Sequence, residues 1–280
     1  MKKYLRNIFN FFFPKKDNIV SELIIILYYY SCYPFYLISK FFKKPYIGSY
    51  LFSDQESGRE RLNIINGIIK NLKKKKLNIL EIEVYCGQNT INLYSNFKNI
   101  KVKHFCIDIF QSFEISSENK TFQYKKIKTS LENKDVLNLF SHNINCLQKD
   151  NKNYKFFVKK MSSKFFFKSN KQNFDLIVID ASHKFKDVFN DIKSSIKFLN
   201  NNGIIIGDDY ELEAKKTSLK KLEIDKNLDL KYSNKHKLMY HPGVTLAVKY
   251  VFNNLKTRNG LFAIQYKNKK FIDLFDKNFK

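Results

Sequence analysis

Arginine is almost missing from a strongly basic chain: of 51 lysines and arginines in 280 residues, only Arg6, Arg59, Arg61 and Arg258 are arginine. Proteins that read nucleic acid place arginine where phosphate or base edges need bidentate contacts. The net charge of +25 therefore weighs toward a solvated lysine face, of the kind AT-rich codon usage leaves, and against a nucleic-acid partner. Cysteine is scarce as well. Cys32, Cys86, Cys106 and Cys146 lack metal-type spacing, which excludes a zinc ribbon or finger, and two of them lie in apolar stretches that read as buried strands or strand ends. Reduced thiols in a cytoplasmic protein are the simpler account.

A membrane-length apolar run is lacking too. The uncharged stretch Leu23 to Ser39 falls short of the roughly 20 residues that a spanning helix needs, contains Pro34 and is bordered by Glu22. It has no small-residue cleavage site and is too rich in tyrosine for a signal peptide. Its flanks, Lys15, Lys16, Lys40, Lys43 and Lys44, suit peripheral contact with a membrane surface, and suit equally an extension packed on the domain or on a second copy through residues 18–44.

What the chain does have is a core: 44% hydrophobic residues over this length argue for one principal α/β domain and against disorder. The expected division is an apolar and basic extension over 1–46 and a domain over 47–280. Leu62, Ile65, Ile68, Ile69 and Leu72 share one helical face and predict a helix over 57–72. Alternation follows: strands at 77–84, 102–108, 156–160, 174–180 and 203–209, with helices at 89–97, 185–199 and 244–255. Residues 261–266 read as a late edge strand, and 114–155 is too polar and aperiodic for its helices to be counted. Short apolar strands separated by helices predict a doubly wound, mostly parallel sheet with helices on both faces.

In such a sheet, ligands bind beyond the carboxyl ends of the strands, where the strand order reverses. The residues placed there are informative. The first strand runs into Glu81 to Thr90, where Gly87 can admit a ligand to the backbone and Thr90 can cap a helix. The second ends in Asp108, about twenty residues beyond that turn, where an acid can accept both hydroxyls of a ribose. Two central strands end in Asp180 and in Asp208-Asp209, and carboxylates that close need a cation or raised pKa values. Oxygen-only donors suit Mg²⁺ or another hard divalent ion. His183, three residues after Asp180, can reach a hydroxyl held there and take its proton.

These segments, from the Glu81-Ile82-x-x-Tyr85-x-Gly87-x-x-Thr90 turn through Cys106-Ile107-Asp108 and Asp175-Leu176-Ile177-Val178-Ile179-Asp180-Ala181-Ser182-His183 to Gly207-Asp208-Asp209-Tyr210, resemble the class I, Rossmann-like S-adenosylmethionine-dependent methyltransferases. Within them the resemblance is to the metal-dependent O-methyltransferases of the catechol and macrolide-sugar type, over about residues 47–267. It implies cofactor contacts by Glu81, Tyr85, Gly87, Thr90, Asp108 and the Met161-Ser162 turn, metal ligands Asp180, Asp208 and Asp209, and catalytic roles for Asp180 and His183. The implied activity is S-adenosylmethionine-dependent O-methylation of a sugar, glycan or other small hydroxylated acceptor with divalent-metal assistance. Glu83 departs from the pattern, standing where the family has the first glycine of its loop. That departure keeps open a catalytically degenerate fold acting as a binding or membrane-associated module.

Overall fold

The computed structural model describes residues 19–46, 59–112, 122–149, 151–180 and 182–276. Helix α1 (Ile19–Phe41) precedes α2 (Arg59–Ile69), and the alternating part then runs β1 (Lys76–Ile82), α3 (Gln88–Phe97), β2 (Lys101–Asp108), α4 (Phe122–Glu132), α5 (Asp135–Lys149), β3 (Tyr154–Lys160), α6 (Ser163–Ser169), β4 (Phe174–Ile179), α7 (Phe185–Lys197) and β5 (Leu199–Gly207). The chain closes with α8 (Leu219–Asp225), a small hairpin of β6 (Lys231–Ser233) and β7 (Leu238–Tyr240), α9 (Pro242–Phe252), β8 (Phe262–Lys267) and β9 (Lys270–Asp273).

Seven strands form the main sheet in the order β3-β2-β1-β4-β5-β8-β9. β1 to β5 are parallel, and β8 and β9 close one side antiparallel. Strand order reverses between β1 and β4, which fixes the ligand-binding crevice beyond their carboxyl ends. All six residues of β4 are buried, as a strand covered on both faces demands. Because side chains alternate, Ile79, Leu176, Val178 and Ile204 pack with Ile65, Ile69 and Leu93 of α2 and α3, whereas Leu80, Ile177, Ile179 and Ile205 pack with Phe166, Val188 and Val248 of α6, α7 and α9. This is the doubly wound, Rossmann-like fold that the periodicity predicts.

Three details differ from the sequence reading. The strand expected at 203–209 begins earlier: β5 starts at Leu199, opposite Phe174, and Asn200 to Gly203 form an irregularity before Ile204 pairs with Leu176. Asn202 takes a φ of 63° there, so the turn chemistry is expressed as a bulge within a strand. β8 is not the edge either, because β9 pairs outside it. In the aperiodic region two helices, α4 and α5, are formed; α5 buries Val136, Leu139, Phe140 and Ile144 on one face. Ser57 of the predicted first helix lies outside the described residues.

α1 touches the domain through a narrow contact. Tyr36 is buried and meets Tyr46 edge-on at 5.7 Å, and Asn143 of α5 holds Tyr46 at both backbone polar groups, accepting from its N–H at 2.7 Å and donating to its carbonyl at 3.1 Å. Leu27, Phe35, Leu37, Ile38, Phe41 and Phe42 are exposed. Among the described residues no helix is long and apolar enough to cross a membrane.

Candidate active site

The loop after β1 has an unusual backbone. Glu83, Tyr85 and Gly87 have φ values of 59°, 48° and 91°, a left-handed run that only the glycine adopts without strain. Gly87 is constrained twice, since a Cβ there would come within 3.0 Å of the Phe140 ring. Asp108 holds this loop: one carboxylate oxygen accepts from the Tyr85 N–H at 3.0 Å and the other from the Phe110 N–H at 2.6 Å. Burial raises the Asp108 carboxyl above its ordinary range, against the backbone donors of Phe110, Tyr85 and Val84 that pull it down.

Of the residues assigned to the cofactor, Tyr85, Gly87 and Asp108 come together at the sheet edge. Glu81 and Thr90 lie beneath them: the Thr90 hydroxyl donates to Glu81 at 2.7 Å, His104 faces the same carboxylate at 3.1 Å, and all three are buried. This trio supports the loop from inside, with Tyr154 completing it at 3.0 Å from His104. Met161 and Ser162 follow β3, where Ser162 caps α6 by accepting from the Phe165 N–H and Met161 packs against the core beside α6 and α7. Glu83 is exposed, yet desolvation by the surrounding protein, then Asp108, Asp191 and Asp180, push its carboxyl up to about 8.

The other side of the crevice is built by β4 and β5. The Asp180 N–H donates to Ile82 and the Asp208 N–H to Ile179, so the ladder hydrogen bonds run past the strand ends and draw these acids together. Asp208 is engaged by Arg61 of α2, whose two terminal nitrogens lie 2.8 and 2.5 Å from its two oxygens. This is the bidentate geometry of an ionised pair. Burial and the charges of Asp209 and Asp180 nonetheless push the Asp208 carboxyl upward, and Arg61 opposes them. Asp180 rises to about 7, from burial first and then from Asp209, with His183 and Arg61 pulling down. Asp209, at a left-handed φ of 59°, stays well below the ordinary carboxylate range because the hydrogen bond and charge of His183 outweigh its burial.

His183 lies between two acids, its Nε2 2.9 Å from Asp209 and its Nδ1 hydrogen-bonded to Asp229. Desolvation alone would favour the neutral ring, but those two partners raise its pKa well above the usual value. At neutral pH it is an imidazolium, a donor where the sequence reading expects a base. The ring of His241 lies 4.1 Å from it, with Nδ1 3.1 Å from Glu211. The expected Mg²⁺ set of Asp180, Asp208 and Asp209 thus does not fit as drawn: a guanidinium stands where the second ligand would face the ion.

Arg61, His241, Glu211 and Asp229 were not legible as site residues. Arg61 offered one signal, as one of four arginines; His241 offered another, as one of five histidines and directly before Pro242-Gly243. Gly243 lets α9 start against the site loop: a Cβ there would lie 2.2 Å from the His183 carbonyl oxygen and 2.5 Å from the Phe185 nitrogen, both backbone atoms. Gly243→Ala is expected to lower the melting temperature by several degrees, since overpacking against backbone costs about 1–3 kcal/mol or more; differential scanning calorimetry measures it.

Residues 80–210 match a family model described as a methyltransferase domain. The matched segment is just under half of the chain and resembles a methyltransferase domain. The match spans β1 to the residues just after β5, so it contains both halves of the crevice at the β1/β4 switch. Solved structures similar to this domain and its flanks include an O-methyltransferase from Klebsiella pneumoniae, so described in its name, at 14% identity over 56% of this chain and 59% of that one, with a TM-score of 0.37. A Staphylococcus aureus protein described as a caffeoyl-CoA O-methyltransferase has 16% identity over 95% and 99%, TM-score 0.40. The TDP-rhamnose 3'-O-methyltransferase CalS11 of calicheamicin biosynthesis has 11% identity over 70% and 73%, TM-score 0.37. This chain therefore spans about three fifths of the Klebsiella protein and nearly all of the Staphylococcus one. No curated protein matches the chain.

Proposed function

We propose that this protein is an S-adenosylmethionine-dependent O-methyltransferase for a sugar or other small hydroxylated acceptor. The observation that carries the reading is the meeting, across the β1/β4 crevice, of the Asp108-held loop with Asp180, a carboxyl raised to about 7. The residues fit the cofactor. Asp108 keeps lone pairs for ribose hydroxyls, Glu83 offers carboxyl oxygens to the ammonium of the methionine part, and the buried Asn89 Oδ1 has no hydrogen-bond partner among the described residues. Tyr85 and Gly87 shape the loop, and Met161-Ser162 face the adenine end. When bound, S-adenosylmethionine supplies an electrophilic sulfonium methyl. The protein positions the acceptor oxygen in line with it, and Asp180 receives the hydroxyl proton, while His183, held between Asp209 and Asp229, orders the carboxylates beside it. No Mg²⁺ step is included, because Arg61 holds Asp208.

The test of cofactor binding is calorimetry with S-adenosylmethionine. Glu83→Gln is expected to weaken it about tenfold or more above about pH 8, where Glu83 is ionised and one charge-assisted hydrogen bond is lost, and less at lower pH. The rival reading, a catalytically silent fold, draws on the same residue, since glutamate at a φ of 59° strains the loop. It requires that wild type give no heat and that Glu83→Gly fail to restore any.

The exposed apolar residues of α1, bordered by Lys40, Lys43 and Lys44, form the proposed contact of residues 18–44 with an anionic lipid surface. A charge of +25 favours that partner over a second copy bearing the same charge. Pelleting with phosphatidylserine vesicles, lost at high salt and in Phe35→Asp/Phe41→Asp, is the expected outcome; pelleting equal on neutral vesicles overturns it.

A further inference from the structure

We infer that His183, Asp209 and His241 form a site for one divalent transition-metal ion of borderline softness, Zn²⁺ or Co²⁺ in type, in place of the Mg²⁺ site that three strand-end carboxylates would make. The inference uses the proposed methyltransferase reading only to say which end of the crevice the ion occupies.

Three observations carry it. One ligand atom from each of the three residues lies within 4.8 Å of the others. His183 Nε2 and Asp209 are 2.9 Å apart; two ligands about 2.1 Å from one tetrahedral ion are about 3.4 Å apart, so the pair need open by only about 0.5 Å to admit one. The proton that they share occupies the place an ion would take. Both imidazoles are also oriented from behind by carboxylates, His183 by Asp229 and His241 by Glu211, each at Nδ1. This carboxylate-histidine arrangement fixes the ring and leaves Nε2 for metal. In His241, which is 8% exposed, Nε2 makes no hydrogen bond among the described residues.

The donor set decides the class of ion. Two imidazoles and one carboxylate suit Zn²⁺, Co²⁺ or Fe²⁺, whereas Mg²⁺ prefers oxygen donors. The carboxylate that would make the set oxygen-rich, Asp208, is bound by Arg61.

The test is titration of full-length, chelator-stripped protein with Co²⁺, followed by its visible absorption, and with Zn²⁺ by calorimetry. One equivalent of Co²⁺ is expected to bind, to be displaced by Zn²⁺ and to withstand excess Mg²⁺. His241→Gln and Asp209→Asn are expected to abolish binding, and Glu211→Gln to weaken it about 10–100-fold. Circular dichroism and S-adenosylmethionine binding on the same samples establish that each variant is folded. Full Co²⁺ binding by folded His241→Gln overturns the inference, as does equal competition by Mg²⁺. So does a stripped protein that binds S-adenosylmethionine but no transition ion; if it binds neither, the methyltransferase reading falls as well.

Discussion

Asp108→Ala is expected to reduce S-adenosylmethionine affinity by about 100-fold or more and to destabilise the fold at the same time. The two effects have one cause. In the free protein the carboxylate accepts the N–H groups of Tyr85 and Phe110, which belong to the loops after β1 and β2. Removing it leaves two buried donors unsatisfied, about 1–3 kcal/mol each. For the bound cofactor it removes the acceptor of two ribose hydroxyls, and charged hydrogen bonds of about 1.5–3 kcal/mol apiece amount to two or more factors of ten. Asp108→Asn separates the two effects: it keeps an acceptor oxygen and the side-chain volume, so its melting temperature should stay closer to wild type while its affinity still falls. Calorimetry and thermal unfolding on the three proteins measure both. Unchanged affinity in Asp108→Ala would remove the ribose role altogether.

The fold was legible because its strands are apolar runs buried on both faces. The run at 174–179 has no solvent-facing residue to blur it, and α7 carries its stripe from Phe185 through Val188 and Ile192. The region around α4 and α5 was not legible, since α5 buries its face partly against the cofactor-side loop and includes a buried asparagine, Asn143, whose role is a long-range bond to Tyr46 and Cys86. At the site, sequence order shows which residues end strands, so Asp108, Asp180, Asp208 and Asp209 were found. It does not show what a distant helix brings to them. Arg61 reaches Asp208 across 147 residues, and His241 reaches His183 only because Gly243 permits backbone contact. The expectation of oxygen-only metal chemistry rests on local spacing, whereas the arginine and the two histidines beside those carboxylates are tertiary neighbours. The left-handed φ of Glu83 is the same lesson in reverse: a position that the resemblance gives to glycine has a glycine-like backbone under a different side chain.

Asp180→Asn is expected to leave S-adenosylmethionine binding intact while lowering kcat about 100- to 10,000-fold, the usual contribution of a positioned general base. Asp180 follows β4 and meets the loop after β1 through the Asn89 amide, 3.5 Å away, and its isosteric amide replacement leaves the hydrogen bonds of Asp108 to Tyr85 and Phe110 in place. The carboxyl is suited to the task because burial and Asp209 raise it to about 7. A base must be ionised to accept a proton, so kcat/KM should rise with pH to a plateau above about 7 and fall tenfold per pH unit well below it. Asp180→Asn should flatten that limb along with the rate. In the metal-free protein His183 predicts the opposite dependence: as an imidazolium it loses its hold on Asp209 only when pH rises past its own raised pKa, which places the alkaline limb well above 6.5. A wild-type acid limb near the ordinary carboxylate value, or an Asp180→Asn rate within about tenfold of wild type, would move the proton acceptor elsewhere in the crevice and leave Asp180 as a charge that only orders Asp209 and His183.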